Sequence, residues 1–278
     1  MERNFHYDGR PRHPAAAMLV AQVSDPHVTV AGASPGAGVD SHARLAAVLR
    51  CIAGLSPRPE AIVLSGDLVE AGSAAEYARL AALVAASPVP VHLMAGNHDD
   101  RDALARAFPD HAERFGEHGL HYAFDLGALR LVILDSLVPG RPGGALPPGE
   151  VDWLEATLAA RPDAPTVVFV HHPPATTGLA HVDRSALDDD RAFAAAVRRH
   201  PQVVRVSCGH LHHAVTLNWA GTALSVCPST AHQFALDLAP DGTIRPVDGP
   251  PAFQLHRWHR GTLHTYTTNV SAENGRTG

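Results

Sequence analysis

The amino-acid sequence predicts an α/β fold around a largely parallel or mixed sheet, and three observations support this prediction. Short apolar segments typical of buried strands alternate with segments whose apolar residues recur at the helical period. Glycine, proline and polar residues separate these segments. The chain has 278 residues, of which 45% are hydrophobic, so it is long enough to bury a sizeable core.

Composition and charge argue against several classes of protein. The formal net charge is -6 and all 22 basic residues are arginine, without the basic stripe that binding to a nucleic-acid duplex requires. No apolar run reaches the roughly 20 residues of a membrane span. Residues 1–14 lack the apolar region of a signal peptide, and Cys51, Cys208 and Cys227 have no paired spacing. We therefore expect a cytoplasmic protein with reduced thiols.

The first strand is predicted over residues 17–23 and is followed by Asp25-Pro26-His27. Proline favours an extended conformation of the residue before it, which is Asp25. In an extended segment, residues i and i+2 lie on the same face. We therefore expect the carboxylate of Asp25 and the imidazole of His27 to point in the same direction.

The next two strands end in polar turns as well. A helix with Asp40 as its cap is predicted before the strand over residues 61–64, which ends in Gly66-Asp67. A helix around Tyr77 then leads to a strand over residues 91–95, which ends in Gly96-Asn97-His98-Asp99-Asp100. An ordinary turn explains each of these ends when it is taken alone. Asp99 is expected either to orient His98 or to cap the helix that follows, and capping is the favoured role.

The middle of the chain repeats the pattern. A hairpin over residues 120–134 turns at Gly127 and leads through Ser136 into a loop rich in proline and glycine that extends to Pro148. A helix containing Val151, Leu154 and Leu158 follows. Two further strands, separated by a helix around Phe193 and Val197, cover residues 166–170 and 203–207. The first ends in His171-His172-Pro173-Pro174 and the second in Gly209-His210-Leu211-His212.

The last part of the chain is predicted to be β-rich. Short strands are expected over residues 214–219, 222–227 and 234–238, before a closing hairpin of residues 253–259 and 263–268. We divide the chain into a disordered head (residues 1–14), a main domain (15–238), a C-terminal β extension packed on the same domain (239–269) and a disordered tail (270–278).

Five strand ends thus carry side chains that bind metals in proteins. Because the ends of such strands gather along one edge of a sheet, these side chains are expected to converge. Carboxylate, amide and imidazole ligands without thiolate suit divalent or trivalent Mn, Fe, Co or Zn. Seven ligands are too many for one tetrahedral ion, but they suit two ions about 3.5–4 Å apart that share a carboxylate. The alternative is five unrelated polar turns. Seven or eight potential ligands lie in these five motifs, which are Asp25-Pro26-His27, Gly66-Asp67, Gly96-Asn97-His98-Asp99, His171 and Gly209-His210-Leu211-His212.

This ordered set resembles the calcineurin-like metallophosphoesterase superfamily over about residues 17–230. Residues 96–101 (Gly-Asn-His-Asp-Asp-Arg), 134–136 (Leu-Asp-Ser), 138–140 (Val-Pro-Gly) and 171–174 (His-His-Pro-Pro) resemble its class III cyclic-nucleotide and glycerophosphodiester phosphodiesterase branch. The resemblance implies a four-layer α-β-β-α sandwich with two mixed central sheets.

The resemblance also implies roles for individual residues. Asp25, His27 and His212 would hold the first metal, and Asn97, His171 and His210 the second, with Asp67 as the bridge. A hydroxide between the two metals would attack phosphorus in line. His98 would be the catalytic residue that neutralises charge on the phosphoryl oxygens or protonates the leaving group. The residues proposed to contact the substrate are Asn97, His98, Ser136 and His232.

The resemblance favours a small phosphodiester as the substrate, with 3′,5′-cyclic AMP as the first candidate. Ser/Thr protein phosphatases of the superfamily carry an arginine shortly after Gly-Asp and read Gly-Asn-His-Glu, whereas this chain has Leu68-Val69-Glu70 and Gly-Asn-His-Asp. Hydrolysis of a glycerophosphodiester, a phosphonate ester or a phosphomonoester is an alternative, and so is a binding scaffold without catalysis. A homodimer is expected from the resemblance alone.

Overall fold

Two β-sheets lie face to face at the centre of the molecule. The computed structural model describes residues 17–112 and 119–270, so the predicted head (1–14) and residues 271–278 of the predicted tail lie outside the described residues. The strands are β1 Met18–Val23, β2 Ala61–Ser65, β3 Val91–Met94, β4 Tyr122–Leu126, β5 Leu129–Leu134, β6 Gly144–Ala145, β7 Thr166–Val170, β8 Leu187–Asp188, β9 Val203–Cys208, β10 Val215–Trp219, β11 Thr222–Val226, β12 Gln233–Phe234, β13 Pro246–Val247, β14 Ala252–His259 and β15 Thr262–Asn269.

Both large sheets are mixed. The first sheet has the order β15-β14-β1-β2-β3, with β1, β2 and β3 parallel and the β14–β15 hairpin added antiparallel to β1. The second sheet has the order β10-β11-β9-β7-β5-β4, with four parallel strands in the middle and an antiparallel strand at each edge. The two small sheets pair β6 with β8 and β12 with β13.

Helices cover the outer faces of both sheets. They are α1 Ser41–Ala53, α2 Ala74–Ala85, α3 Arg101–Ala107, α4 Pro109–Ala112, α5 Pro148–Ala159, α6 Ala180–Asp183 and α7 Arg191–Arg199. Apolar residues of α1 and α2 pack on the first sheet, those of α5 and α7 pack on the second, and a third cluster fills the space between the sheets. This arrangement is the predicted four-layer α-β-β-α sandwich, which is therefore confirmed. In the described ranges, no helix is long and apolar enough to cross a membrane.

Helix caps agree with the prediction at one site and differ at another. The Asp40 side chain accepts a hydrogen bond from the Ala43 N–H and caps α1, as predicted. Asp100, and not Asp99, caps α3, because its side chain accepts from the Ala103 N–H. The expectation that Asp99 caps this helix is therefore wrong, and its carboxylate is used elsewhere.

The segment predicted as a strand over residues 234–238 is also different in the structure. Regular pairing stops after Phe234, where β12 ends. Leu236 and Leu238 are 68% and 67% exposed, so their alternation does not mark a buried strand face. The closing hairpin, in contrast, follows the prediction closely, with its turn at Arg260 and Gly261.

Candidate metal centre

The five polar strand ends meet, although they come from both sheets instead of one sheet edge. The turns after β1, β2 and β3 in the first sheet face the turns after β7 and β9 in the second. Backbone hydrogen bonds join neighbouring turns, from Asp25 N to the Gly66 oxygen and from Gly209 N to the His171 oxygen. The His210 N–H donates to both carboxylate oxygens of Asp25 at 3.1 Å, which ties the two sheets together at this point.

Two glycines make this convergence sterically possible. A Cβ atom at Gly209 would lie 2.1 Å from Ser24 Oγ, and one at Gly96 would lie 2.3 Å from both the backbone nitrogen and Oδ1 of Asp67. Both distances are too short for any side chain. The glycines that punctuate the sequence motifs are therefore required for the close approach of these turns.

Several predicted ligands have a left-handed backbone conformation. The prediction of an extended conformation at Asp25 is therefore wrong, because this residue has a φ of 50°. The turn aims its carboxylate at the His210 N–H, so the ligands converge through bent turns and not through an extended strand. Each such residue costs about 1–2 kcal/mol relative to an ordinary backbone, which the surrounding hydrogen bonds must offset. The others are His27 at 41°, Asp67 at 48°, His210 at 70° and His212 at 53°.

The first predicted metal set lies in one group. The Nδ1 atom of His27 donates to Glu70 Oε2 at 2.8 Å, and that of His212 donates to the His232 carbonyl oxygen at 2.7 Å. In a neutral ring the other nitrogen, Nε2, then keeps its lone pair. The Nε2 atoms of His27 and His212 lie 3.2 Å apart, and Asp25 Oδ1 lies 3.5 Å from Nε2 of His212. Asp25, His27 and His212 together form one of the groups that can hold a metal ion.

The two histidines of the second set are oriented in a similar way. His171 donates from Nδ1 to the Ser65 carbonyl oxygen at 2.9 Å, and its buried Nε2 has no hydrogen-bond partner. The hydroxyl of Ser185 donates to the Val182 carbonyl oxygen, so it accepts from Nε2–H of His210 at 3.1 Å. The lone pair of His210 is then on Nδ1. Each ring therefore offers one nitrogen to a cation.

Asp67 lies between the two groups. Its Oδ2 is 3.7 Å from His27 Nε2 and 3.4 Å from His171 Nε2, while its Oδ1 accepts from the His98 N–H at 2.9 Å. Burial raises the pKa of Asp67, but the charge and hydrogen bond of His171, together with the charges of His27 and His98, outweigh burial and hold the pKa well below the ordinary value. A carboxylate oxygen in this place is what a bridging ligand requires.

Burial and charge together fit this centre to metal ions. Burial raises the pKa of Asp25. It lowers that of His171, but the carboxylates of Asp67 and Asp25 outweigh burial and raise the pKa to about 9. Burial lowers the pKa of His210 to about 3 and holds that of His212 well below its ordinary value, so both rings are neutral. Burial also lowers the pKa of His27, but its hydrogen bond to Glu70 and the two buried carboxylates outweigh burial and raise this pKa. A cation that binds here would displace the ring protons of His27 and His171. The neutral rings of His210 and His212 would complete a donor set that suits first-row cations.

Asn97 and His98 lie beside an open pocket of about 360 Å³. Asn97 Oδ1 is buried and has no hydrogen-bond partner, as expected of a ligand atom. His98 Nδ1 donates to the Glu70 carbonyl oxygen at 2.7 Å, and its side chain is 36% exposed. His98 is also close enough to His27 and Asp67 to form a ligand group with them.

Asp99 connects two of the turns. Its Oδ2 accepts from Gly96 N at 2.8 Å and from Leu68 N at 3.0 Å, and its Oδ1 accepts from the Tyr77 hydroxyl at 2.8 Å. Burial, followed by the charge of Asp67, raises the pKa of Asp99 to about 6. The carboxylate therefore holds the turn after β2 against the turn after β3.

Ser136 and His172 form a pair behind the centre. The Ser136 hydroxyl lies 2.8 Å from His172 Nδ1, and His172 Nε2 donates to the Pro142 carbonyl oxygen at 3.2 Å. His172 can form a ligand group with His171 and His210 by distance, but both of its ring nitrogens have partners. A contact between Ser136 and the substrate stays a prediction.

His232 lies on the side of the first metal set. It is 4% exposed, its Nδ1 has no hydrogen-bond partner, and its ring centroid is 5.7 Å from that of His27. Burial and then the charge of His27 lower its pKa to about 4. The ring is neutral at physiological pH and can accept a hydrogen bond.

Glu70 and Ser185 orient two of the histidines, His27 and His210, and neither residue was predicted from the sequence. Glu70 lies three positions after Asp67 in the same motif, so this spacing is a signal that could have indicated it. Ser185 follows α6 in an irregular segment with no pattern that points to His210.

Comparisons with known proteins agree with this geometry. Residues 18–214 match the calcineurin-like phosphoesterase family. The chain is 32% identical over 260 residues to a probable glycerophosphodiester phosphodiesterase of Arcobacter nitrofigilis, which covers 93% of this chain and 95% of that protein. It is 30% identical over 219 residues to the 3′,5′-cyclic adenosine monophosphate phosphodiesterase of Escherichia coli K12. That alignment covers 79% of this chain and 78% of the E. coli protein.

A solved structure shares the fold. A dimetal phosphatase from Danio rerio superposes with a TM-score of 0.66 at 15% sequence identity, covering 91% of this chain and 99% of that one. The family match and the cluster of histidines and carboxylates together imply a two-metal centre. The predictions of the fold, the family and a metal-dependent phosphoesterase are confirmed, and the chain belongs to the calcineurin-like phosphoesterase family.

Proposed function

We propose that the chain hydrolyses small phosphodiesters with two divalent or trivalent cations drawn from Mn, Fe, Co and Zn. The observation that carries this proposal is the position of Asp67, whose Oδ2 lies between the inward nitrogens of His27 and His171. We assign Asp25, His27 and His212 to one ion. We assign Asn97, His171 and His210 to the other. A preference for diesters is supported by the relatives, which are named for glycerophosphodiesters and cyclic AMP.

When bound, the cations would neutralise charge on the phosphoryl oxygens and lower the pKa of a bound water. His98 would act on the substrate side. Its Nδ1–H is held by the Glu70 carbonyl oxygen, so the ring presents Nε2 to the pocket. In the doubly protonated ring, the Nε2 proton can pass to the departing alkoxide oxygen while the Nδ1–H keeps its partner.

Two substrate classes are candidates within the diesters. Cyclic AMP is the first candidate from the sequence motifs. A glycerophosphodiester is supported by the relative that matches 93% of this chain, against 79% for the cyclic AMP enzyme. The pocket beside His98 is open, so it can accept alcohol groups of different sizes.

The first experiment compares bis(p-nitrophenyl) phosphate with p-nitrophenyl phosphate, with Mn²⁺ added and with a chelator. We expect diester turnover well above monoester turnover, and loss of both with the chelator. A preference for the monoester would contradict the proposed substrate class but would not contradict the metal centre. Absence of turnover despite bound metal would favour a binding scaffold.

Substrates can then be compared directly. Turnover of cyclic AMP, of glycerophosphocholine and of a phosphonate ester, each measured by product chromatography, ranks the candidate classes. We expect a kcat/KM for at least one of the two phosphodiesters above that for the phosphonate ester. A kcat/KM for the phosphonate ester above those for both phosphodiesters would overturn the proposed substrate class.

The proposal includes the setting of the protein. We place it in the cytoplasm as a homodimer that binds no nucleic-acid duplex, in line with its net charge of -6. Residues 15–238 and 239–269 would form one unit, which the pairing of β14 with β1 supports. Light scattering of the purified chain tests the dimer, and a monomer at micromolar concentration would contradict it.

A further inference from the structure

The pocket beside His98 carries a positive charge that the hydrolytic centre does not use. Arg141 is the residue with a permanent positive charge among the described residues that line this pocket. It comes from the loop between β5 and β6, next to the asparagine and histidine of the turn after β3. The lining residues are Glu70, Ala71, Asn97, His98, Gly140, Arg141 and Pro142.

The backbone around Arg141 is fixed in this position. The Arg141 N–H donates to the Val138 carbonyl oxygen at 3.1 Å. The carbonyl oxygen of Pro142 accepts from His172, which follows the predicted ligand His171 directly in the chain. Pairing of β6 with β8 holds the end of the same loop. The arginine is therefore anchored to the metal centre through its own loop.

The side chain of Arg141 is free to change its partner. Its Nη2 lies 2.7 Å from Asp188 Oδ2, but the two side chains are 54% and 53% exposed. Exposed ion pairs of this kind contribute little to stability. A guanidinium group binds carboxylate and phosphate well, so an anionic group on a substrate can replace Asp188. The carboxylate in the pocket lining, that of Glu70, is hydrogen-bonded to His27.

We propose that Arg141 forms an anion subsite, which favours phosphodiesters whose departing alcohol carries a second negative charge, a carboxylate or a phosphate. The departing alcohol is the part concerned because the arginine lines the same pocket as His98. This inference rests on the proposed function, since it assigns a preference within diester hydrolysis. Diesters whose departing alcohol is neutral or cationic would have a lower kcat/KM than diesters whose departing alcohol is anionic.

The test uses two diesters of nearly the same shape, methyl 4-carboxyphenyl phosphate and methyl 4-carbamoylphenyl phosphate. They differ in one negative charge on the leaving phenol, and the released phenol is measured by chromatography with Mn²⁺ present. The wild-type ratio of kcat/KM, carboxylate over amide, is the reference. We expect Arg141→Gln to lower this ratio by about threefold to fivefold, mainly through KM, which is the scale of one exposed charge pair.

Two further variants sharpen the test. Asp188→Asn removes the competing carboxylate and is expected to raise the ratio. Arg191→Gln is the matched control, because Arg191 is an exposed arginine paired with Asp189 outside the pocket lining. We expect it to leave the ratio unchanged.

The outcomes separate this inference from the proposed function. An unchanged ratio in Arg141→Gln, with both diesters still hydrolysed, would overturn the anion subsite alone. An equal fall in Arg191→Gln would also overturn it, because general surface charge would then explain the preference. No hydrolysis of either diester by the metal-loaded wild type would instead contradict the proposed function.

Discussion

At the scale of single residues, oxygen atoms around the centre decide which nitrogen of each histidine can bind a cation. Glu70 accepts a hydrogen bond from Nδ1–H of His27, and the Ser65 carbonyl oxygen accepts one from Nδ1–H of His171. Ser185 reverses the choice at His210, because its hydroxyl oxygen accepts a hydrogen bond from Nε2–H. A ring whose tautomer and orientation are already set loses less entropy when it binds a metal.

Asp67→Asn tests the bridging position. The amide keeps the size of the side chain but removes the negative charge between the two groups. We expect at least about a 100-fold loss of diester turnover and a lower Mn²⁺ stoichiometry by titration calorimetry. Asp152→Asn removes an exposed carboxylate of α5 as a control. Full turnover with both ions bound in Asp67→Asn would contradict the bridge.

His98→Ala tests proton transfer to the leaving group. An alkoxide needs a proton when it departs, whereas p-nitrophenolate is stable without one. We expect turnover to fall by about 10²–10⁴-fold for an alkyl diester and by much less for bis(p-nitrophenyl) phosphate. The affinity for Mn²⁺ should stay within about threefold. Equal losses on both substrates would indicate that His98 does not protonate the leaving group, and loss of metal would make it a ligand.

The predictability of these residues depends on whether their role is local. The ligand types were predictable because each follows an apolar strand within a few positions, as with Asp67 after β2. The conformation of Asp25 was not predictable, because the turn at Asp25 is bent by a contact with the N–H of His210, which belongs to the other sheet. Ser185 was unpredictable for the same reason, since its role is created by tertiary contact.

At the scale of elements, two adjacent aspartates have different tasks. Asp100 starts α3 by accepting from the Ala103 N–H. Asp99 instead accepts from the backbone of two separate turns. A sequence motif with two consecutive carboxylates cannot say which of them is the cap, because both are compatible with the helix start. The three-dimensional neighbours decide it.

Substitution of these two residues should separate stability from metal binding. We expect Asp100→Ala to lower the free energy of unfolding by about 1 kcal/mol through loss of the cap, with unchanged Mn²⁺ affinity. Asp99→Ala leaves two buried N–H groups without an acceptor. It should cost about 1–3 kcal/mol and weaken Mn²⁺ binding about 10–100-fold. Urea denaturation and calorimetry give both quantities, and unchanged Mn²⁺ affinity in Asp99→Ala would contradict its role.

At the scale of the whole molecule, a polar network joins the facing sheets under the centre. Gln22 of β1 donates to Ser65 Oγ of β2 and to the Cys208 carbonyl oxygen of β9. Its Oε1 accepts from Ser207 Oγ and lies 3.0 Å from Nε2 of His256 in β14. Hydrogen bonds within the interior fix the relative position of the sheets, which apolar packing alone does less specifically. The sandwich itself was predictable from a family resemblance, but this network was not.

His256 makes the stability of the fold sensitive to acid. It is fully buried, and burial followed by the charge of Arg205 lowers its pKa to about 3. The unfolded chain takes up this proton below about pH 6.5, while the folded chain does not until about pH 3. The unfolded state therefore binds more protons in this window, and stability falls as the pH falls.

His256→Gln should reduce this acid sensitivity. With a chelator present, we expect the wild type to lose about 2 kcal/mol more than the variant between pH 7.5 and pH 5, measured by urea denaturation. The variant can be less stable at pH 7.5, so the comparison is between slopes. His264→Gln, at an exposed position of β15, is the control and should follow the wild type. Parallel curves for wild type and His256→Gln would exclude this residue as the source.

The position of β1 has a consequence for biosynthesis. This strand carries the first metal-binding turn, and its two neighbours are β2, which follows early in the chain, and β14, which is translated near its end. While the ribosome is still producing the middle of the chain, one edge of β1 exposes its peptide groups to any strand that can pair with it. A nascent chain is thus open to aggregation along this edge until the closing hairpin leaves the exit tunnel. Truncation before β14 would make that exposure permanent, so premature termination should yield insoluble protein and not a smaller enzyme.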